Sequence, residues 1–120
     1  MKALILVDHG SKVKEANNLL EEIVIKLRNH PGCKFDMVEH SHMELATPTI
    51  EDAFLKCVKK GAKEIVVHPY FLVPGRHSKT DIPRMVKEAA SPYPDVKYKV
   101  SQPLGIHNKI LDVVLERAWE

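Results

Sequence analysis

Cysteine is scarce in this sequence, which contains only Cys33 and Cys57 and no CxxC pair. Because a disulfide framework or a structural zinc site needs several suitably spaced cysteines, neither is indicated. Cys57 falls on the apolar stripe of a predicted helix, where a small buried thiol is the ordinary interpretation. The stability of the fold must therefore come from a hydrophobic core, which 120 residues with a hydrophobic share of 44% can supply.

A strong charge of one sign is also missing, since 18 lysines and arginines are offset by 16 aspartates and glutamates. The formal net charge of +2, without a basic run beside aromatic residues, argues against a nucleic-acid partner. The apolar run at residues 3–7 is too short to span a membrane, and no signal-type segment precedes it. We therefore expect one cytoplasmic domain over residues 1–120, with a mature organellar form also compatible and no membrane partner.

Three common phosphate-binding or nucleophile motifs are absent, namely GxGxxG, GxxxxGK[ST] and GxSxG. Nucleoside triphosphate chemistry is therefore not indicated. His9 and Gly10 resemble the start of a histidine phosphatase, but that family has an arginine where this sequence has Asp8. Since an aspartate would repel phosphate, we set this interpretation aside.

Strands and helices are predicted to alternate along the chain. Short runs rich in Leu, Ile and Val predict strands at residues 2–7, 35–42, 64–72 and 96–100. A segment with helical spacing of apolar residues follows each strand. Pro31-Gly32 ends the first helix. Thr47 is the expected cap of the second helix, Pro48 its first residue and Gly61 its stop. The third helix is predicted from Thr80 to Ala90 and the fourth from about Asn108, with Ile110, Val113 and Val114 facing inward.

This alternation predicts an α/β fold with a four-stranded parallel sheet flanked by helices, because each helix must return the chain before the next strand begins. The loops after all four strands then emerge at one edge of the sheet, the carboxyl edge where open α/β sheets bind ligands. Residues far apart in sequence are thereby expected to converge, in the segments Asp8–Ser11, Met43–Glu44, Gly75–His77 and Gly105–His107.

Two histidines in these loops are the main candidates for chemistry. His9 follows the first strand, next to Gly10, which permits close approach of a ligand to the backbone, and to Ser11, a possible helix cap. His77 follows the third strand in the same way. Two imidazoles with the carboxylate of Glu44 form a nitrogen-rich site suited to Fe, Co, Ni or Zn, with open positions for transient binding. The alternatives are loop histidines bonded to neighbours and an exposed glutamate before a helix.

The other histidines and several basic residues have weaker functional interpretations. His40 and His42 share one face of a strand, as a second layer around a metal or as packed residues, and His68 is expected to pack. His30 is expected at the surface. For His107, substrate contact and a structural role are equally compatible with the sequence. Basic residues near the active edge could bind an acidic ligand or form a solvated helix face; they are Lys12, Arg76, Lys79 and Arg84.

Five segments together resemble the small class II sirohydrochlorin chelatases, and look most like the siroheme-type ferrochelatases of plants and bacteria. They are Leu6–Ser11, His42–Ile50, Phe71–His77, Asp81–Pro83 and Pro103–His107. The resemblance implies insertion of Fe²⁺, Co²⁺ or Ni²⁺ into sirohydrochlorin without ATP, with the metal as substrate and no permanently bound cofactor. The sequence has no histidine-rich insertion and no cysteine-rich tail, so the resemblance does not extend to an iron–sulfur cluster.

The resemblance also implies roles for individual residues. His9 and His77 correspond to the metal-handling histidines and Glu44 to the acidic residue, while Ser11, Lys12, Gly75, Arg76 and His107 are expected to contact sirohydrochlorin. Because one sheet edge is shallow and a macrocycle needs walls on both faces, we expect a homodimer. The alternative function is a non-enzymatic carrier of metal or tetrapyrrole that uses the same histidines.

Overall fold

The structure, a computed structural model, describes residues 1–73 and 75–119, without the side chains of residues 76–78. Four strand–helix units follow one another, which confirms the predicted α/β fold. The elements are β1 (Lys2–Asp8), α1 (Lys14–Arg28), β2 (Met37–His42), α2 (Ile50–Lys59), β3 (Glu64–Pro69), α3 (Arg76–Ala90), β4 (Lys97–Val100) and α4 (Asn108–Trp119). Among these helices none has the length and hydropathy that a membrane-spanning helix requires.

The four strands form one parallel sheet in the order β2-β1-β3-β4. The chain first moves from β1 to β2 at one side and then crosses over to β3 and β4 at the other. The carboxyl ends of β1 and β3 therefore border the point where the strand order reverses, and open α/β sheets bind their ligands in the crevice at such a point. The loop that carries His9 follows β1, and the loop after β3 leads into α3, whose first turn includes His77.

Both faces of the central strand β1 are covered, which explains its continuous apolar run. Ile5 and Val7 point to the larger core, which is formed with α2 and α3, whereas Leu6 points to a smaller cluster with α1. The larger core is centred on fully buried side chains, including Phe54, Val67, Ile82 and Val86. This double packing fixes the strand ends, and hence the loops that follow them.

The last helix differs from the other three. α4 has no buried residue and makes no extensive packing contact with another element of the described chain. Val113 and Val114 are 51% and 57% exposed, and Ile110 is half-buried. The prediction that these three residues face inward is therefore wrong for the isolated chain, because the helix extends away from the sheet that would have covered them.

Two helix starts also differ from the prediction. α2 is capped by Thr49, not Thr47: the Thr49 hydroxyl accepts the Asp52 N–H, and the Asp52 carboxylate accepts the Thr49 N–H. The Thr47–Pro48 peptide is cis and precedes the helix. α3 begins at Arg76 instead of Thr80, which places His77 in the first turn of a helix and not in a loop.

Two strands are shorter than predicted. β3 ends at Pro69, because the next residues turn away: the Phe71 N–H donates to the Pro69 carbonyl at 2.9 Å. β2 begins at Met37, two residues after the predicted start at Phe35. Both changes lengthen the adjoining loops, and the earlier end of β3 places Phe71 in a loop, where its ring contacts His9.

Candidate active site at the carboxyl edge of the sheet

The loops that follow β1 and β2 are joined by two backbone hydrogen bonds. The Met43 N–H donates to the Asp8 carbonyl at 2.8 Å, and the Glu44 N–H donates to the His9 carbonyl at 3.0 Å. Both His9 and Glu44 are exposed at this edge. The structure therefore brings these two residues together, as the predicted convergence of the loops after the strands requires, although 35 positions separate them in sequence.

Gly10 is required where these two loops meet. Its φ of +87° lies in the left-handed region, and a Cβ atom built on it would lie 1.8 Å from the Glu44 carbonyl oxygen. No side chain fits at that distance, so only glycine allows the two loops to approach this closely. The sequence indicated a close approach to the backbone at Gly10; in the structure the approaching group is the backbone of the neighbouring loop.

The imidazole of His9 contacts the loop that follows β3. Its ring packs edge-on against Phe71, with ring centroids 4.6 Å apart and an interplanar angle of 62°. The loops after β3 and β4 are joined in turn, since Leu104 N–H donates to the Phe71 carbonyl at 2.9 Å and Gly105 N–H to the Leu72 carbonyl at 2.8 Å. All four loops thus form one connected edge, which confirms the predicted convergence.

His77 lies in the first turn of α3, directly after the loop that carries Phe71. Its side chain, like those of Arg76 and Ser78, lies outside the described residues, so the metal set of His9, His77 and Glu44 stays a prediction. Among the side chains that are described, no three His, Cys, Asp or Glu groups lie close enough together to hold a metal ion. Gly75 is the residue that caps α3 and has a φ of −65°, so it does not use the left-handed freedom expected for a sharp turn.

Ser11 stabilises its own loop instead of capping α1. Its hydroxyl accepts the Val13 N–H at 3.0 Å, while its N–H and carbonyl are both bound by the Asn17 amide. The residue that precedes α1 is Val13, which makes no side-chain cap. The predicted cap is therefore wrong, because Ser11 lies too far ahead of the first turn, whereas Lys12 is exposed beside the edge as expected.

His107 and Arg84 have structural partners. The Nδ1 atom of His107 accepts the Lys109 N–H at 3.1 Å, which caps the start of α4. The guanidinium of Arg84 pairs with Asp81 at 3.5 Å and with Glu88 at 3.1 Å, and these carboxylates raise its pKa. Both residues thus have a structural partner, and the substrate contact expected of His107 stays a prediction.

A cavity of about 490 Å³ opens at this edge between β3, β4 and α3. Its walls are mainly apolar, and Lys79 is the cation among the described residues that line it. These residues are Pro69, Val73, Lys79, Ile82, Pro83, Val100, Ser101, Gln102 and Pro103. An apolar wall with a few polar groups is the usual make-up of a site for a small organic molecule. The cavity lies beside the helix that carries His77.

His42 is a residue whose partner the sequence did not reveal. Its imidazole is 1% exposed, and its Nδ1 lies 2.5 Å from the Asp8 carboxylate. The ring of His40 lies 5.7 Å from that of His42, and burial lowers the pKa of His40, an effect that Glu21 partly opposes. Asp8 and His42 end neighbouring strands in register, but only knowledge of the strand order could have paired them.

The remaining two histidines behave as predicted. His68 is half-buried on β3, its Nδ1 lies 2.9 Å from the Ser101 hydroxyl, and burial lowers its pKa. His30 is exposed, and its Nδ1 accepts the Gly32 N–H at 2.9 Å within the turn after α1. Through its contact with Ser101, which lines the cavity at the active edge, His68 touches the loop after β4.

Curated relatives align with almost the whole chain. A chloroplastic sirohydrochlorin ferrochelatase of Arabidopsis thaliana is 49% identical over 114 residues, which are 95% of this chain and 50% of the relative. A sirohydrochlorin cobaltochelatase of Sulfolobus acidocaldarius is 36% identical over 118 residues, which are 98% of this chain and 90% of the relative. The chain thus spans about half the length of some relatives and nearly all of others.

A solved structure of SirB from Bacillus subtilis with Fe³⁺ has a TM-score of 0.88 and 36% identity, covering 97% of this chain and 45% of SirB. A SirB structure from B. subtilis subspecies spizizenii in complex with cobalt has the same TM-score and identity, and it covers 98% of this chain and 49% of SirB. The CbiX family model matches residues 3–120. Since the match includes both the sheet and every loop of the active edge, the chain belongs to the CbiX family.

Proposed function

We propose that this protein inserts a divalent metal ion into sirohydrochlorin without ATP. The observation that carries the proposal is the hydrogen-bonded junction that holds His9 beside Glu44 at the crevice between β1 and β3. Family membership adds the reaction, because the relatives described above are named as sirohydrochlorin ferrochelatases and cobaltochelatases.

The chemistry of insertion suits these residues. As the metal enters the macrocycle, two pyrrole N–H protons must leave, so the site needs weak metal ligands and proton acceptors together. Neutral imidazoles serve as both. In the proposed reaction His9 and His77 hold the ion, and the Glu44 carboxylate or a histidine accepts a proton. An incomplete set of protein ligands keeps the ion exchangeable, unlike a closed structural site with four ligands.

The acidic periphery of sirohydrochlorin would meet the cations at the same edge. Lys12 and Lys79 are exposed there, and Lys79 borders the apolar cavity beside α3. Arg76 belongs to the same proposal through its position in the first turn of α3. Arg84 is a weaker candidate, because two carboxylates of its own helix already pair with it.

The test is anaerobic mixing of the protein with sirohydrochlorin and Fe²⁺ while the absorption spectrum is followed. A chelatase accelerates the change from free to metallated macrocycle with repeated turnover. A carrier of metal or tetrapyrrole, the alternative function, binds its ligand stoichiometrically and leaves the insertion rate at its uncatalysed value. A rate equal to that without protein would refute the chelatase proposal.

Iron is our proposed metal, and it rests on the similarity to ferrochelatases. Imidazole and carboxylate ligands do not select iron by themselves, because affinity follows the general order of divalent metals and selectivity in cells depends on supply. Insertion rates measured with Fe²⁺, Co²⁺ and Ni²⁺ under identical conditions will show which metal ion the protein prefers. A higher rate with Co²⁺ would assign the protein to the cobaltochelatase activity instead.

The proposed location is the cytoplasm or, after processing, an organelle. The chloroplastic relative is compatible with the second possibility. Fluorescence microscopy of the protein in its own cells, with the tag at the carboxyl end, would distinguish the two.

We also propose a homodimer in which α4 contributes the contact surface. The helix exposes Leu111, Val113, Val114 and Leu115, each more than half exposed, and Trp119 at 92%. Isolated apolar residues are normal on surfaces, but five exposed ones on a single 12-residue helix favour an interaction site. Because α4 begins directly after the active edge, a second copy bound there would supply the second wall that a macrocycle needs.

The dimer is tested by light scattering of Leu111→Glu and Val114→Glu variants at micromolar concentration. The unmodified protein should have twice the chain mass, and the variants should have the mass of one chain. Leu55→Glu is the matched control, since Leu55 is an exposed leucine on α2 and should leave the dimer intact. A monomeric unmodified protein, or a mass unaffected by the α4 variants, would contradict this interface.

A further inference from the structure

Asp8 and His42 form a buried polar pair between the carboxyl ends of β1 and β2. They are register partners in the sheet, and the His42 Nδ1–H donates to the Asp8 Oδ1 atom over 2.5 Å. The His42 side chain is 1% exposed and that of Asp8 is 25% exposed. A polar ring is buried so completely only when it is hydrogen-bonded, so the pair fixes both side chains.

Asp8 connects this pair to the loop that carries His9. The same Oδ1 atom accepts the Gly10 N–H at 3.0 Å, which closes a turn around His9. The Asp8 carbonyl accepts the Met43 N–H, which adjoins Glu44. Asp8 therefore holds its own loop at Gly10, next to His9, and the neighbouring loop at Met43, next to Glu44.

His42 anchors the other end of the Glu44 loop. Its backbone N–H donates to the Pro48 carbonyl at 2.9 Å, so the segment from His42 to Pro48 is closed at its base. The side chain of His42 meanwhile holds Asp8. On this side of the crevice Asp8 and His42 thus take part in three of the hydrogen bonds that hold the two loops, beside the direct bond from the Glu44 N–H to the His9 carbonyl.

We propose that the Asp8–His42 pair is a positioning device that sets the placement of His9 relative to Glu44. The inference rests on the metal-handling role proposed for His9. His42 lies inside the sheet and acts through Asp8 and Gly10. Partners that orient metal ligands typically change metal affinity or activity by about 10- to 100-fold when they are replaced, and we expect the lower end for a partner that acts through the backbone.

Two substitutions of His42 separate positioning from packing. His42→Asn keeps an N–H donor near the place of Nδ1 and loses ring volume, whereas His42→Phe keeps the ring volume and loses the donor. Co²⁺ binding is measured by the visible absorption of the protein-bound ion. If the hydrogen bond positions His9, His42→Phe weakens binding by about tenfold and His42→Asn by less than about threefold. If the residue only fills space, the order of the two variants is reversed, and the inference is wrong.

A second pair of variants keeps the test decisive if a change at the buried position prevents folding. Asp8→Asn retains an acceptor for the Gly10 and His42 donors, and Asp8→Ala removes it, at a position that is partly exposed. We expect Asp8→Ala to weaken Co²⁺ binding by about tenfold and Asp8→Asn by clearly less. Circular dichroism checks that each variant is folded. Equal affinity of both variants and the unmodified protein would overturn the inference.

The His9→Ala variant separates this inference from the proposed function. If His9→Ala binds Co²⁺ as the unmodified protein does, the proposed metal site itself is wrong. If His9→Ala loses binding while Asp8→Ala and His42→Phe retain it, the metal site stands and only the positioning role fails. The readout is metal binding, so none of these outcomes depends on turnover of sirohydrochlorin.

Discussion

The two ends of the active edge are built in different ways. At the β1–β2 end, backbone hydrogen bonds, a buried His–Asp pair and a left-handed glycine fix the loops that carry His9 and Glu44. At the β4 end, Gly105 leads into α4, which buries none of its residues in the described chain. The first end is complete within one chain, whereas the second presents an unsatisfied apolar surface.

This difference indicates which properties depend on the chain alone. The placement of His9 beside Glu44 is set by local contacts and should persist in a monomer at high dilution. The surroundings of α4 depend on what covers it, and in our proposal that is a second copy. The predictions below change one end at a time, in order of decreasing expected effect.

Replacing Gly10 should have the largest effect, because an added methyl group meets the Glu44 carbonyl and the backbone has a positive φ. We expect Gly10→Ala to lower the free energy of unfolding by about 3 kcal/mol, measured by urea denaturation. The matched control is Gly61→Ala, which also has a positive φ but whose nearest neighbour, Met1 Sδ, is 3.6 Å away. It should cost about 1 kcal/mol, the strain of the backbone alone. Equal losses would show that the loop junction is not tight.

Removing either proposed metal ligand should reduce insertion without unfolding the protein. We expect His9→Ala and His77→Ala each to lower the insertion rate by at least about tenfold, because metal-site residues contribute at this scale. Glu44→Gln should do less harm, since histidines can also accept protons. The melting temperature of each variant serves as the control for folding. Full activity in both histidine variants would show that other groups handle the metal.

Stability should fall in mild acid because of two half-buried histidines, His40 and His68. Burial lowers the pKa of His40 and His68 in the folded state, so the unfolded chain binds more protons below its ordinary value near 6.5. Stability is then full above about pH 6.5 and decreases as the pH falls from there towards the lowered values, by at most about 1.4 kcal/mol per pH unit for each histidine. Urea titrations of the unmodified protein and of His68→Asn should show a shallower slope in the variant. An unchanged slope would show that His68 does not contribute to the pH dependence of stability.

The smallest effect is expected for an exposed residue of α4. Leu115→Ala should change the free energy of unfolding by no more than about 0.5 kcal/mol when the protein is dilute enough to be monomeric, because Leu115 is 70% exposed. At higher concentration the same substitution should cost more, since the leucine is then covered by the partner. A large loss in the dilute protein would mean that α4 packs on its own chain.

Most of the fold and part of the site could be predicted from local patterns. The continuous apolar run Ala3–Val7 is typical of a strand covered on both faces, and Ala53, Phe54 and Cys57 have the spacing of an amphipathic helix. The structure buries these residues, apart from the half-buried Leu4. The positions of His9 and Glu44 just after strands followed from the same patterns. The cap of α2 was misplaced by two residues, because Thr47-Pro48 and Thr49 offer similar local signals and only the position of the strand end selects one.

The sequence by itself determined four strand–helix units, and hence that the loops after the strands meet at one edge, because parallel strands all point the same way. Only the tertiary structure decided the order β2-β1-β3-β4, which makes Asp8 the neighbour of His42 and puts His9 against Phe71. It also decided that α4 leaves its apolar side chains uncovered. The physical reason is that periodicity reports whether a face is buried, whereas the identity of the neighbour depends on contacts between residues distant in sequence.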